Sequence, residues 1–279
     1  MFVCPITRRS LRGWRSPAGI TFPMWDGIPV LTPEPDALIA SAGALRPPTG
    51  LLYPFMPPSM LGAPGALGAW LATETRTPTA LAAAWGTQHA PPGPGLDAGC
   101  GLGAMALAMA SRGRPTWAID HNPRVLVAAR DLLLGRTREA PWPRWPGDRS
   151  THPIPILPLR PSQVHFAVAD LCTPPFAEGS FAWIHLGSVL PTEPAGRRTM
   201  LAHAQALLVE GGLLTVVTDH PTESLLEGDP AADLLAALGE TGLSVVAQAP
   251  AVPHIERCDA RRYSITLAQC VAARREGGG

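Results

Sequence analysis

The sequence contains no lysine, and all 22 basic residues of this 279-residue chain are arginine. Schiff-base chemistry is therefore excluded, because it needs an amine that can lose its proton. A standard P-loop is excluded as well, since its lysine reaches the β/γ-phosphates of a nucleotide. The 22 acidic residues balance the arginines. A net charge of zero gives no overall attraction to nucleic acid or to an anionic membrane.

Cysteine is scarce and scattered. The five cysteines form no CxxC pair, which argues against a disulfide framework and against a complete zinc site, so no metal is predicted. The start of the chain, MFVCPITRRS, lacks the apolar stretch of a signal peptide, and no run of 18 apolar residues exists. These absences predict a cytoplasmic protein that does not enter a membrane.

Apolar residues are plentiful enough for a sizeable core. They make up 46% of the chain, while charged residues make up 16%. The chain divides into a short segment at 1–35, a region at 36–94 in which helical patches alternate with proline-rich breaks, and a larger domain at 95–274. Residues 36–94 are predicted to form a helical cap or linker. A proline- and arginine-rich insertion at 135–163 interrupts the domain.

Strands and helices alternate regularly in the larger domain, which predicts an α/β fold with a parallel sheet. The predicted strands are one that leads into Asp97, then 115–120, 164–170, 181–186, 213–218, 243–249 and 262–273. The last two are too close in sequence for a covering helix, so we expect them to pair antiparallel.

The stretch LDAGCGLG at 96–103 places three glycines between a strand and a helix. Such a loop brings the backbone close to a nucleotide and offers free N–H groups at the helix start. Read literally, it fits both a redox dinucleotide and a group donor. Asp97 favours the donor, because a carboxylate there would repel a pyrophosphate and attract an amino group and a sulfonium.

The loop resembles the first motif, D-x-G-x-G-x-G, of class I S-adenosylmethionine (SAM)-dependent methyltransferases. Three later stretches are similar to family motifs in the same order: WAID, VADLCTPPFAEGSF and LLVEGGLLTVVT. The resemblance implies a Rossmann-like seven-stranded sheet, mostly parallel with an antiparallel last strand, and SAM as the cofactor. It implies that Asp120 with its neighbour His121 lies at the ribose and that Asp170 and Leu171 lie at the adenine. The implied cofactor-binding residues are Asp97, Gly99, Cys100, Gly101, Gly103, Asp120, His121, Asp170 and Leu171.

The end of the fourth strand departs from one branch of the family. It reads IHLGSVLP and lacks the acidic, asparagine-rich tetrad of amino-directed DNA methyltransferases. At the start of the same strand, Ala182 follows the Phe where the family often has an aspartate. We therefore expect a small-molecule or peptide acceptor rather than a nucleobase amine. Candidate catalytic residues are His185, Ser188 and His220, which follow strands at the edge where open α/β sheets bind ligands.

Two further regions bear on partners. Tyr53, Phe55 and Met56 are predicted to shape the acceptor pocket. The insertion carries five arginines with Trp142 and Trp145, a combination that can bind single-stranded nucleic acid, although a solvated loop is the favoured interpretation.

The opening stretches CPITRRSL and GITFPMWDGIPVLTPEP resemble a degenerate form of the zinc-ribbon-like activator of tRNA and release-factor methyltransferases. Its relatives often begin C-P-x-C, whereas Cys4 has no nearby partner cysteine.

Two alternatives stay open at the level of sequence. One is a non-catalytic binding protein on a methyltransferase fold, because fold alone does not establish activity. The other is a nicotinamide-dependent oxidoreductase. The methyl acceptor and the oligomeric state are not indicated by any residue pattern.

Overall fold

The computed structural model describes residues 2–45, 55, 59, 61, 65–73, 77–141, 150–156, 158–191, 193–218, 230–257 and 262–277. The strands in these residues are β1 (Met24–Trp25), β2 (Ile28–Pro29), β3 (Gly95–Ala98), β4 (Thr116–Asp120), β5 (Glu139–Pro141), β6 (Thr151–Pro153), β7 (Val164–Val168), β8 (Phe181–Gly187), β9 (Leu208–Thr218), β10 (Leu243–Arg257) and β11 (Tyr263–Arg275). The α-helices are α1 (Pro35–Ser41), α2 (Gly65–Thr73), α3 (Pro78–His89), α4 (Ala104–Ala110), α5 (Pro123–Leu133), α6 (Pro194–Leu207) and α7 (Pro230–Glu240). None of these helices has the length and apolar character needed to cross a bilayer.

A seven-stranded sheet with the order β10-β11-β9-β8-β3-β4-β7 forms the centre of the fold. Strands β7, β4, β3, β8 and β9 run parallel to one another. Strand β11 is antiparallel to both of its neighbours, β9 and β10. This topology confirms the predicted α/β fold, including the antiparallel last strand.

Alternate residues of the central strands face opposite helical layers. On β9, Leu214 and Val216 belong to the core cluster that contains residues of α6 and α7. Leu213 and Val217 belong to the cluster that contains residues of α3 and α4. Because successive side chains of a strand point to opposite faces, one strand serves both layers. The core is therefore continuous on both sides of the sheet.

Helix α3 packs closely on the sheet. A Cβ atom added to Gly86 would lie 2.0 Å from Cζ2 of Trp183, so only glycine allows this approach. Thr77 caps the helix by accepting a hydrogen bond from the Ala80 N–H at 3.1 Å, and Pro78 occupies the first turn, where no N–H is needed. The predicted cap region 36–94 thus includes a helix of the covering layer, which its alanine-rich sequence did not distinguish from a cap helix.

The N-terminal segment covers the β7 edge of the sheet. Val30 forms a parallel bridge with Val168, and the Leu31 N–H donates to the Val168 carbonyl at 2.7 Å. The buried side chains of Cys4 and Phe22 lie in the same core cluster as residues of the sheet.

The insertion at 135–163 contains more structure than its proline content indicates. Strands β5 and β6 pair antiparallel, with Glu139 opposite Pro153. Trp142 and Trp145, which carried the nucleic-acid interpretation, lie outside the described residues.

Candidate active site

The glycine loop connects β3, in the middle of the sheet, to α4. The N–H groups of Gly99 and Cys100 both donate to the Ile119 carbonyl, at 2.8 and 2.9 Å, which fixes the loop to β4. Gly99 has a φ of 69°, and a Cβ atom at this position would lie 2.0 Å from Cγ1 of Val189. Both the backbone conformation and the available space therefore require glycine at this position.

Asp97 lies beneath the loop and is only 2% exposed. Its Oδ2 accepts a hydrogen bond from the Ala106 N–H in the first turn of α4, at 2.8 Å. Burial raises the pKa of this carboxyl group to about 7, against the effect of that hydrogen bond, and the charge of Asp120 raises it further. Near neutral pH the group therefore ionises readily in response to a nearby cation.

Asp120 ends β4 and is joined directly to the glycine loop. Its Oδ2 accepts from the Gly101 N–H at 3.1 Å, and its Oδ1 accepts from the Asn122 N–H at 2.9 Å. The predicted neighbour His121 is exposed, and its Nδ1 lies 3.4 Å from Asp120 Oδ1. The two acidic residues of adjacent strands, Asp97 and Asp120, are thus held on either side of one loop.

The structure places Asp170 and Leu171 beyond the end of β7. Asp170 is exposed, and its Oδ1 accepts from the Cys172 N–H at 2.8 Å. Leu171 packs into the core, and its carbonyl oxygen lies 3.1 Å from His203 Nδ1.

Cys100 is buried within the glycine loop. Burial raises the pKa of its thiol well above the ordinary value, and the nearby charges of Asp97 and Asp120 add to the effect. The thiol stays protonated at neutral pH and is not a nucleophile there.

A cavity of about 280 Å³ lies at the carboxyl ends of β3 and β8, next to the loop. The residues that line it are Leu61, Thr77, Pro78, Thr79, Asp97, Gly99, Cys100, Gly101, Leu102, Ala104, Met105, His185, Gly187, Ser188, Val217, His254 and Ile255. The cavity brings together the predicted residues Asp97, His185 and Ser188. Asp120 and Asp170 do not line it but follow along the same edge of the sheet, since β4 and β7 run parallel to β3.

His185 is held by a buried chain of hydrogen bonds. Its Nδ1 lies 3.0 Å from Oγ1 of Thr215, which also accepts from the Trp183 Nε1–H at 2.9 Å. The Thr215 hydroxyl can donate to the Ile184 carbonyl at 3.4 Å. Burial lowers the pKa of His185 to about 3, so the ring is neutral at physiological pH.

Several cavity residues were not predicted from the sequence. His254 and Ile255 come from β10, which runs eight residues past its predicted end at 249, and Leu61 comes from the cap region. No pattern in the sequence identified the two β10 residues, because Pro250 and Pro253 interrupt the apolar pattern after Ala249. Among the predicted pocket residues, Phe55 packs instead against the core cluster of Ile28 and Val30. Tyr53, Met56 and the catalytic candidate His220 lie outside the described residues.

Comparisons with known proteins agree with this geometry. Residues 96–216 match a methyltransferase domain family. No curated protein matches the chain significantly. Among solved structures, one from work on the conversion of a disulfide bond into a thioacetal group during echinomycin biosynthesis is 20% identical, covers 80% of this chain and 88% of its own, and has a TM-score of 0.52.

Two further similar structures are both methyltransferases. The N-methyltransferase NodS from Bradyrhizobium japonicum WM9 is 19% identical, with coverage of 71% of this chain and 94% of its own and a TM-score of 0.49. The magnesium protoporphyrin IX methyltransferase from Synechocystis PCC 6803 with bound SAM is 16% identical, with coverage of 78% and 88% and a TM-score of 0.48.

The family match and the sheet order together show that the chain contains a class I SAM-dependent methyltransferase domain. Residues 96–216 are its methyltransferase domain, and SAM is the cofactor. The nicotinamide-dependent alternative, which the glycine loop alone left open, is set aside by this assignment.

Proposed function

We propose that the enzyme methylates a small molecule or a peptide side chain, bound between the carboxyl end of β8 and the extended strand β10. In this proposal His185 and Ser188 contact the acceptor from one side and His254 from the other. The observation that carries the proposal is the cavity that adjoins both Asp97 and these three residues.

The charge of the cavity supports a small or neutral acceptor. Among the described residues that line the cavity, Asp97 is the only carboxylate and none is an arginine. Proteins that bind nucleic acid depend on cationic side chains to hold the phosphates. A polyanion would meet no arginine among these described lining residues. The other described lining residues are two histidines, a cysteine and glycine, proline, hydroxyl and apolar residues, which suits an uncharged, partly apolar acceptor.

The described residues around the glycine loop fit SAM as the methyl donor. When bound, SAM supplies an electrophilic methyl group on a sulfonium centre. We propose that Asp97, buried and with a pKa of about 7, ionises opposite the cationic part of the cofactor. Asp120, Asp170 and Leu171 follow along the sheet edge in the order expected for the ribose and the adenine, which remains a proposal for each residue.

The state of His185 bears on the chemistry of the acceptor. An imidazole with a pKa of about 3 is a weak proton acceptor, so it is poorly suited to act as a general base. We propose that His185 orients the acceptor by a hydrogen bond and that the acceptor enters in a nucleophilic form. The protein's main contribution is then positioning and the exclusion of water.

A methyl-transfer assay with isotope-labelled SAM and a size-fractionated cell extract tests the acceptor class. We expect label in the small-molecule or peptide fractions. We expect Ser188→Ala and His254→Ala to raise KM for the acceptor while leaving the Kd for SAM unchanged. Asp97→Asn should instead weaken SAM binding, measured by calorimetry.

Label that sediments with RNA or DNA and disappears after nuclease treatment would overturn the proposed acceptor class. The calorimetric measurement of SAM binding does not depend on the acceptor. It therefore shows whether a failure lies in the proposed acceptor class or in the proposed SAM site. A cytoplasmic location remains a prediction from the sequence.

A further inference from the structure

Two four-residue segments near the N-terminus share one spacing. They are Cys4-Pro5-Ile6-Thr7 and Ser16-Pro17-Ala18-Gly19, each with proline in second place. Zinc ribbons bind their metal with pairs of cysteines that are separated by two residues. The first and fourth positions of these two segments have that spacing, although only Cys4 is a cysteine.

The two segments also share a local fold. The Cys4 N–H donates to the Arg9 carbonyl and the Ser16 N–H to the Ile20 carbonyl, both at 2.8 Å. Antiparallel bridges flank each segment. Val3 pairs with Ser10 around the first, and Arg15 pairs with Thr21 around the second. Each segment is therefore the tip of a small hairpin.

The two tips meet at the sulfur of Cys4. The Thr7 N–H donates to this Sγ at 3.4 Å, and the Ile6 N–H and the Ser16 hydroxyl also hydrogen-bond to it. Burial raises the pKa of the thiol, but these hydrogen bonds outweigh burial and leave the pKa below its ordinary value. Cys4 is fully buried, and Ser16 is 4% exposed. Thr7 Oγ1 is buried and has no hydrogen-bond partner among the described residues.

Zinc does not fit these four positions. A structural zinc site needs four sulfur or nitrogen ligands in a tetrahedron. One thiol, two hydroxyls and a glycine do not form that set. Within the described part of the chain, no three His, Cys, Asp or Glu side chains are grouped as a metal site requires.

Packing on the methyltransferase domain stabilises the N-terminal segment, as a bound metal would otherwise do. A segment of this size cannot bury a core of its own and usually depends on a metal or a partner. Here Phe2 stacks on Phe176 with ring centroids 5.2 Å apart, and Phe22 is 2% exposed. Arg8 Nη2 donates to the Phe176 carbonyl at 3.0 Å. The hairpins are therefore stabilised both by contacts with the methyltransferase domain and by the hydrogen bonds at Cys4.

We infer that residues 2–33 are a zinc-ribbon scaffold without a metal, in which the hydrogen bonds around Cys4 and the contacts with the methyltransferase domain take the place of zinc. Both segments keep the two-residue spacing of a metal site, and Thr7 and Ser16 both contact Cys4. Cysteines in place of Thr7 and Ser16 should therefore create a zinc site. This expectation does not depend on the identity of the methyl acceptor.

The wild-type chain and the Thr7→Cys/Ser16→Cys double variant test this inference. Purified from zinc-supplemented cultures, the wild type should contain less than about 0.1 zinc per chain, and chelators should leave its Tm and SAM affinity unchanged. The double variant should bind about one zinc per chain, with solvent as the fourth ligand. Cobalt substitution should give the absorption bands of tetrahedral thiolate coordination, and chelators should lower its Tm.

Stoichiometric zinc in the wild type, or its unfolding by chelators, would overturn the metal-free assignment. A folded double variant without zinc would overturn the scaffold assignment. The Thr7→Cys/Ser10→Cys variant is the matched control, because it has the same number of thiols with one outside the cluster, and it should bind no zinc. If the double variant does not fold, adding Gly19→Cys supplies the fourth ligand. Gly19→Cys is not part of the first variant because Gly19 has a φ of 86°, a backbone conformation that is strained for any residue with a side chain.

Discussion

Thr215 Oγ1 lies 3.0 Å from His185 Nδ1 on the neighbouring strand, and the same oxygen accepts the Trp183 Nε1–H at 2.9 Å. An indole can only donate, so one lone pair of the hydroxyl oxygen is committed to Trp183. If Nδ1 carries the histidine proton, the second lone pair accepts it, and the hydroxyl proton points to the Ile184 carbonyl. This arrangement satisfies all the groups and presents Nε2 to the cavity as an acceptor.

Replacing Thr215 with valine should destabilise the protein markedly. The substitution keeps the shape of the side chain but leaves two buried polar groups, on Trp183 and His185, without this partner. We expect the free energy of unfolding to fall by about 3 kcal/mol, from about 1–3 kcal/mol for each unsatisfied group. Urea denaturation measures the change. Thr215→Ser keeps the hydroxyl and should lose about 1 kcal/mol at most, so equal losses in both variants would contradict the hydrogen-bond account.

The affinity for SAM should depend on pH through Asp97. Because its pKa is about 7, the carboxyl group is mostly neutral at lower pH, and only the ionised form attracts a cation. SAM binding should therefore weaken by about tenfold between pH 8 and pH 6, as the ionised fraction falls. Calorimetry across this range gives the profile. In Asp97→Asn the affinity should be lower and this pH dependence absent, whereas an unchanged profile would assign the titration to another group.

The stability of the protein should depend on pH through His185. Its pKa is about 6.5 in the unfolded chain and about 3 in the folded one, so the unfolded state binds more protons between these values. The contribution of His185 to stability is therefore present above pH 6.5 and is lost as the pH falls toward 3, by at most about 1.4 kcal/mol per unit.

Denaturation at several pH values, with His185→Asn as the comparison, isolates this contribution. The difference between wild type and variant removes the other titrating groups. A difference that does not change between pH 7 and pH 5 would show that the ring is protonated alike in both states.

Gly99→Ala should disrupt the glycine loop through one contact. The added Cβ would lie 2.0 Å from Val189 Cγ1, whereas a Cβ at Gly101 would meet nothing within 4 Å. Both glycines have positive φ, so the backbone strain is similar and only the clash differs. We expect Gly99→Ala to lower the Tm of the free protein by several degrees more than Gly101→Ala, as calorimetric scanning would show.

Removing the opposing side chain tests the cause of that difference. The Gly99→Ala/Val189→Ala double variant should recover most of the Tm relative to Val189→Ala alone. Failure to recover it would mean that backbone conformation rather than space limits this position.

The glycine loop and the two acidic residues beside it could be located from the sequence because their signals are local. Asp97 stands two residues from Gly99, and Asp120 ends a strand next to a proline-started helix, so short-range patterns locate both. The link from His185 to Thr215 is different in kind. It depends on the register between β8 and β9, which shifts at a bulge between Phe181 and Trp183. The sequence contains no marker of that register.

The proposed acceptor side, which includes His254 of β10, was missed because prolines interrupt the strand pattern there. Pro250 and Pro253 interrupt the apolar pattern and normally argue against a strand. In the structure β10 is the edge strand, and Pro250 falls at a register shift, so neither proline breaks an interior ladder. Position within the sheet decides whether proline is tolerated, and that position is known only once the sheet is assembled. His254 was overlooked for this reason.

The pairing of Val30 and Leu31 with Val168 has a consequence for solubility. Strand β7 is the outer strand of the sheet on this side, and an uncovered outer strand recruits other chains through its free N–H and carbonyl groups. The N-terminal segment occupies those groups within its own chain. A variant that lacks residues 1–35 would expose both strand β7 and the apolar surface beside it. We expect such a variant to aggregate.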